Sequence, residues 1–263
     1  MNEPIVLLHG VGLDSSMWDR LLVNGALGVT GREVLALDLP GHGGQPPLRR
    51  PTTLSEMADD VARRLPPKAH LIGFSLGALV AQELAARMPE RVLSLVCVSS
   101  VCQRTEEEAA AVARRLETAR GDFAASAEAA VERWFPKSSS VSPHQVKPEQ
   151  IERIRNVLLA NDRESYLHAY EVFATGDRDA AKALPLITAP TLAITGSDDP
   201  GSTPAMTLRL SQLVPGASAL IVEGARHMLP VEQPEQLARL ITEFIDEAEW
   251  KADAERTRNA NTA

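Results

Sequence analysis

Six short apolar runs punctuate this sequence, at residues 5–8, 34–37, 70–74, 92–98, 191–195 and 219–222. They are rich in Val, Ile and Leu, and several end in glycine or a polar residue. Continuous apolar runs of this length suit strands buried on both faces of a parallel sheet. Between them lie helical patterns at 54–65, 76–88, 204–214 and 234–248. Thr53 or Ser55 is placed to cap the first, and Pro66-Pro67 stops it. Pro204 and Pro234 open two others in the favoured first turn. Strand–helix alternation predicts an α/β fold with a mostly parallel sheet, right-handed crossovers and helices on both faces.

Residues 102–185 break the alternation. They show helical segments at 106–120, 124–134, 148–161 and 163–174, a loop at 137–143, and no strand pattern. The expected organisation is therefore a core made of 1–101 and 186–250, a helical cap of 102–185, and a polar, flexible tail at 251–263. Inserted at the carboxyl ends of the strands, such a cap roofs a pocket.

The chemistry is carried by Gly73-Phe74-Ser75-Leu76-Gly77, which lies between the run at 70–74 and the helix at 76–88. Gly-x-Ser-x-Gly in that setting is a nucleophile elbow: a tight turn exposes the serine, and side chains at the glycine positions would clash. The helix that follows aims its free N–H groups towards the serine oxygen. A serine hydroxyl needs a base, usually a histidine oriented by a carboxylate. In the fold that carries this motif, the chain order is Ser, then Asp or Glu, then His. Three histidines follow Ser75. His144 lies in a loop, His168 in a helical segment, and His227 directly after the run at 219–222. His227 has the right place for the base. The acid should follow the preceding strand, where Gly196-Ser197-Asp198-Asp199-Pro200 offers two aspartates. Spacing does not choose between them. For the oxyanion, the candidate donors are the backbone N–H of Leu76 and that of Val11 in His9-Gly10-Val11-Gly12, with Gly12 as the alternative.

These residues together resemble the α/β-hydrolase superfamily. The resemblance covers nearly the whole chain and includes His9-Gly10, Asp38-Leu39-Pro40-Gly41-His42-Gly43, the elbow, Gly196-x-x-Asp199, Gly224-x-x-His227, and Pro230, Glu232 and Pro234. It implies that Asp199, not Asp198, is the acid. Members usually begin with a β-hairpin before the His-Gly strand, which here starts at about Pro4. The expectation is a sheet of about six strands with 34–37 at an edge, or else a longer native N-terminus.

Within the superfamily the chain looks most like 3-oxoadipate enol-lactonases and related ring-fission-product hydrolases. This rests on His9-Gly10-Val11-Gly12-Leu13-Asp14 with Trp18, Trp134-Phe135, and Pro200-Gly201-Ser202-Thr203-Pro204. The resemblance implies hydrolysis of an ester, enol-lactone or amide bond in a small, dicarboxylate-type metabolite of aromatic or heterocycle catabolism. Arg133, Arg153, Arg155 and Arg163 in the cap are candidate carboxylate ligands, Arg133 and Arg155 foremost. Trp134, Phe135, Tyr166, Tyr170 and Phe173 are candidate pocket walls or cap core. The competing uses of such a site are carbon–carbon bond hydrolysis of vinylogous diketones, cofactor-free perhydrolysis, and ligand binding without turnover. Serine at the elbow argues against dehalogenation and epoxide opening, for which the superfamily places Asp there.

Other features narrow the partners. A net charge of -8 argues against nucleic acid or an anionic membrane as partner. No uncharged apolar run reaches the ~18 residues of a spanning helix. The opening Met1-Asn2-Glu3-Pro4 has no signal-peptide pattern. Two cysteines, Cys97 and Cys102, do not make a disulfide framework and suit a reducing cytoplasm, where this protein is expected. Cys97, in an apolar run, is expected to be buried and inert. No metal or other cofactor is expected. No His or Cys pair has metal-ligand spacing, and Gly41-His42-Gly43-Gly44 leads into a proline-containing loop rather than a dinucleotide-binding helix.

Overall fold

A computed structural model describes residues 2–23, 27, 31–136 and 146–260. The loop expected at 137–143 and His144 lie outside them. Six strands form one sheet: β1 (Ile5–Leu8), β2 (Val34–Leu37), β3 (Ala69–Phe74), β4 (Val92–Val98), β5 (Thr191–Gly196) and β6 (Ser218–Val222). Every pairing is parallel, in the order β2-β1-β3-β4-β5-β6. As expected, β2 lies at an edge. Its four residues are only half-buried, whereas all of β3 is buried.

Successive strand residues point to opposite faces, and the core divides accordingly. Val6, Leu8, Leu71 and Leu95 pack with α2 (Leu54–Arg64), α3 (Leu76–Arg87) and α9 (Pro204–Leu213). Ile5, Leu7, Ile72, Phe74 and Val96 pack with α1 (Asp19–Val23) and α11 (Pro234–Ala260). Local signals set the helix starts. Thr53 caps α2 in a reciprocal box with Glu56, and Thr203 caps α9 ahead of Pro204. The chain runs outward from β1 to β2 and then back across β1 to β3. That reversal opens a crevice at the carboxyl ends of β1 and β3, the usual place for a ligand in an open α/β sheet.

Between β4 and β5 the chain is helical: α4 (Glu106–Gly121), α5 (Phe123–Trp134), α6 (Pro148–Leu159), α7 (Arg163–Thr175) and α8 (Asp177–Ala183). Thr105, Asp122 and Asp162 cap α4, α5 and α7. The two ends of this insertion are tied together. Arg104 donates to Asp177 Oδ1 at 2.7 Å, and the Arg104 backbone N–H donates to Asp177 Oδ2 at 2.8 Å. The guanidinium also lies 4.7 Å from the centre of the Phe173 ring.

Two short helices had no counterpart in the sequence reading. The four-residue α10 (Leu229–Glu232) and the seven-residue α8 are too short to show a helical period in sequence. Helix α11 continues to Ala260, through the first ten residues of the expected tail. Its residues are good helix formers, with ion pairs at helical spacing from Glu247 to Lys251 and from Asp253 to Arg256. Among the described residues no helix is long and apolar enough to cross a membrane.

Candidate active site

Ser75 occupies the junction of β3 and α3 with φ 53° and ψ −112°, a conformation that L-residues rarely adopt. Its N–H donates to the Val98 carbonyl at 3.0 Å, which pins the turn to β4. The two glycines are required sterically. A methyl at Gly73 would overlap the Gly77 carbonyl and the backbone of Ala78, and one at Gly77 would overlap the Leu8 and His9 carbonyls. Leu76 is the first residue of α3, so its N–H has no acceptor within the helix.

Asp199 follows β5 and is 3% exposed, and its Oδ2 lies 2.7 Å from Nδ1 of His227, which follows β6. Oδ1 of Asp199 accepts from the N–H groups of Gly201 at 2.8 Å and Ser202 at 2.9 Å. Burial pushes the Asp199 carboxyl up. His227 beside it and the N–H groups of Ser202 and Gly201 outweigh burial, and the net effect holds it below the ordinary aspartate range. Asp198 takes no part: its N–H donates to the Ala225 carbonyl and its Oδ1 accepts from Ser197. The His227 ring is held between Phe74 and Trp134, with ring centres at 5.0 and 5.8 Å, and stacks on the indole.

Ser75, Asp199 and His227 line one cavity of about 100 Å³. Val11, Arg133, Trp134, Tyr166, Tyr170 and Phe173 line it too, so the insertion supplies most of its roof. Phe135 is partly buried and packs against the core instead. Arg155 is not at the cavity. It pairs with Glu128 at 3.0 Å and also with Glu152, because its helical phase on α6 turns it outward. Arg153 pairs with Asp19 at 2.6 Å, and Arg163 donates to the Arg120 carbonyl. The sequence reading missed Arg115, on α4, which lines the cavity. Helical spacing carried the signal: Arg115 shares a face with buried Val112 and Ala119, three residues before and four after it, while Arg114 does not.

A sequence model of the alpha/beta hydrolase family matches residues 5–240. The chain belongs to the alpha/beta hydrolase family. The hydrolase is 28% identical over 249 residues to an (E)-2-((N-methylformamido)methylene)succinate hydrolase of Acinetobacter baylyi, covering 93% of this chain and 90% of that one. It is 30% identical to a pimeloyl-[acyl-carrier protein] methyl ester esterase of Aeromonas hydrophila, covering 92% and 94% of the two chains. Among solved structures, the enol-lactonase of Burkholderia xenovorans LB400 superimposes with a TM-score of 0.81 at 26% identity, covering 94% of this chain and 92% of that one.

Several titratable groups near this hydrolase's cavity are structural. His9 Nε2 accepts from the Leu39 N–H at 2.8 Å and Nδ1 lies 2.7 Å from the Gly10 carbonyl, so the ring is neutral with its proton on Nδ1. Burial lowers the pKa of His9 to about 4 and that of His42, edge-on to it at 5.1 Å, to about 3. Glu232 accepts from the Arg226 N–H at 2.9 Å, which braces the residue before His227, and burial raises its pKa. Both cysteine thiols are buried and pushed up to about 12, which leaves them unreactive.

Proposed function

We propose that this hydrolase is a serine hydrolase that cleaves an ester, enol-lactone or amide bond of a small metabolite through an acyl-enzyme. The observation that carries the reading is the Asp199–His227 hydrogen bond in the cavity that Ser75 also lines. An imidazole whose Nδ1–H donates to a carboxylate keeps Nε2 free to accept a proton. In the proposed reaction Nε2 of His227 takes the Ser75 proton as Oγ attacks the carbonyl. Asp199 stabilises the imidazolium that results. The N–H groups of Leu76 and Val11 receive the oxyanion, and loss of one such donor typically costs about 3 kcal/mol of transition-state stabilisation. His227 then protonates the leaving group, the acyl group stays on Ser75, and a water deprotonated by His227 releases the acid.

The names of the relatives support a hydrolytic reaction: on a methylene-succinate derivative, on a methyl ester carried by an acyl-carrier protein and on an enol-lactone, the first and third being small molecules. We place the substrate among the small acids of aromatic or heterocycle breakdown, the class that the sequence resemblance implies. The decisive test is labelling with a fluorophosphonate probe alongside a panel of esters, enol-lactones, enamides and vinylogous diketones. Wild type is expected to label and to turn over an oxygen or nitrogen acyl compound, and Ser75→Ala to do neither. Equal labelling of Ser75→Ala, or turnover of diketones alone, would overturn the reading.

A further inference from the structure

We propose that Arg115 and Arg133 form a subsite in the roof of the cavity that binds a carboxylate of the substrate, remote from the bond attacked by Ser75. The inference rests on the reading of Ser75 given above and adds the chemistry of the far end of the substrate.

The pairing of the insertion's arginines points to it. Arg104 is bound to Asp177, Arg120 to Glu117 and Glu171, Arg153 to Asp19, and Arg155 to Glu128 and Glu152. Arg114, Arg163 and Arg178 also lack a carboxylate partner among the described residues, but they are exposed and outside the cavity lining, whereas Arg115 and Arg133 line the cavity without such a partner. The one hydrogen bond of the Arg133 guanidinium there is to the Ala129 carbonyl of its own helix, at 3.2 Å. None of the residues outside the description is Asp or Glu. Scarcity of acids is not the reason, since the chain has 35 Asp and Glu against 27 Lys and Arg.

The surroundings make the pair unfavourable when empty. Burial, and then the like charge of Arg115, hold the Arg133 guanidinium below its ordinary pKa. The acidic residue in the lining is Asp199, which is already bound to His227. The other residues of the insertion in the lining are Thr118, Ser126, two alanines and four aromatic residues, and they offer no carboxylate. Two like charges in a partly desolvated wall repel, and an anion between them removes that cost. A planar carboxylate matches the guanidinium fork. A cavity of about 100 Å³ that holds both Ser75 and this pair suits one small molecule with a reactive acyl group at one end and a carboxylate at the other.

The test compares mono-p-nitrophenyl glutarate with p-nitrophenyl pentanoate, which lacks the remote charge. Wild type is expected to favour the glutarate about 100-fold in kcat/KM, about 10-fold from each of the two guanidinium groups, the usual weight of a hydrogen bond to a charged group. Arg115→Gln and Arg133→Gln are each expected to lower that ratio about 10-fold, and the double variant to bring it near one. The ratio cancels a general loss of active enzyme. If Ser75 labels and both esters turn over with a ratio near one in wild type, or both variants keep the wild-type ratio, the subsite is wrong and the reading of Ser75 stands. If Ser75 does not label and neither ester turns over, that reading falls, and the subsite is tested by calorimetry with glutarate. Binding by wild type and not by the double variant supports it; no binding by wild type overturns it.

Discussion

At the scale of single residues, the turn at Ser75 leaves no room for a side chain beside it. Gly77 faces the Leu8 and His9 carbonyls, which belong to the sheet and the loop below it and are held in place. Gly77→Ala is expected to destabilise the fold by about 1–3 kcal/mol, the typical cost of overpacking a rigid site, and to lower activity with it. Urea denaturation and turnover measured on one sample check this, and a variant of wild-type stability would show that the turn relaxes freely. Such positions are legible in a sequence because the constraint is local: glycine, serine and glycine occupy alternate positions of one five-residue segment. His227 stood out because it follows an apolar run, whereas Asp199 was preferred to Asp198 only through the family resemblance. The arginines were not legible. Arg155 resembled a substrate ligand until Glu128, on another helix, occupied it. Arg115 escaped notice although its phase beside Val112 and Ala119 pointed it inward. A one-dimensional pattern gives the face of a helix but not which carboxylate the neighbouring helix presents.

At the scale of elements, the loops after β1 and β2 are joined by His9, which accepts a hydrogen bond from Leu39 and packs edge-on against His42. Both rings are neutral when folded, with pKa values lowered by burial to about 4 and about 3. In the unfolded chain each takes a proton near pH 6.5. Between roughly pH 6.5 and 4 the unfolded state therefore binds more protons, and stability falls as the pH falls. From pH 7 to pH 5 the loss is expected to be about 2 kcal/mol per histidine. Urea melts at the two values, on wild type and on His42→Asn, measure it. Wild type should lose about twice as much as the variant, and a flat wild-type profile would refute the neutral assignment. Strands were the most legible elements, since parallel strands buried on both faces are continuous apolar runs. The seven residues of α8 span about two turns, too few to establish a period.

At the scale of the whole molecule, the sheet is completed only after the chain has passed through the helical insertion, and Arg104 with Asp177 closes the neck of that excursion. Their side chains are each 2% exposed. Removing one partner of a buried pair leaves an uncompensated charge, so Asp177→Ala is expected to cost about 3–5 kcal/mol. Replacing both with apolar residues of similar size, as in Arg104→Met with Asp177→Leu, is expected to restore most of that loss. Chemical denaturation of the two variants distinguishes an electrostatic clasp from simple packing, for which the double replacement would be no better than the single one.

The neck also bears on how such a protein diversifies. The two ends of the insertion meet where Arg104 binds Asp177, so the excursion is closed at a narrow neck. Doubling the length of a loop closed in this way costs only about 0.6 kcal/mol in chain entropy. Whole roofs are therefore interchangeable units: a lineage is free to lengthen, shorten or exchange the excursion while inheriting the strands and their turns intact. Changes of substrate preference are then expected above the neck, with the sheet below it kept as it is.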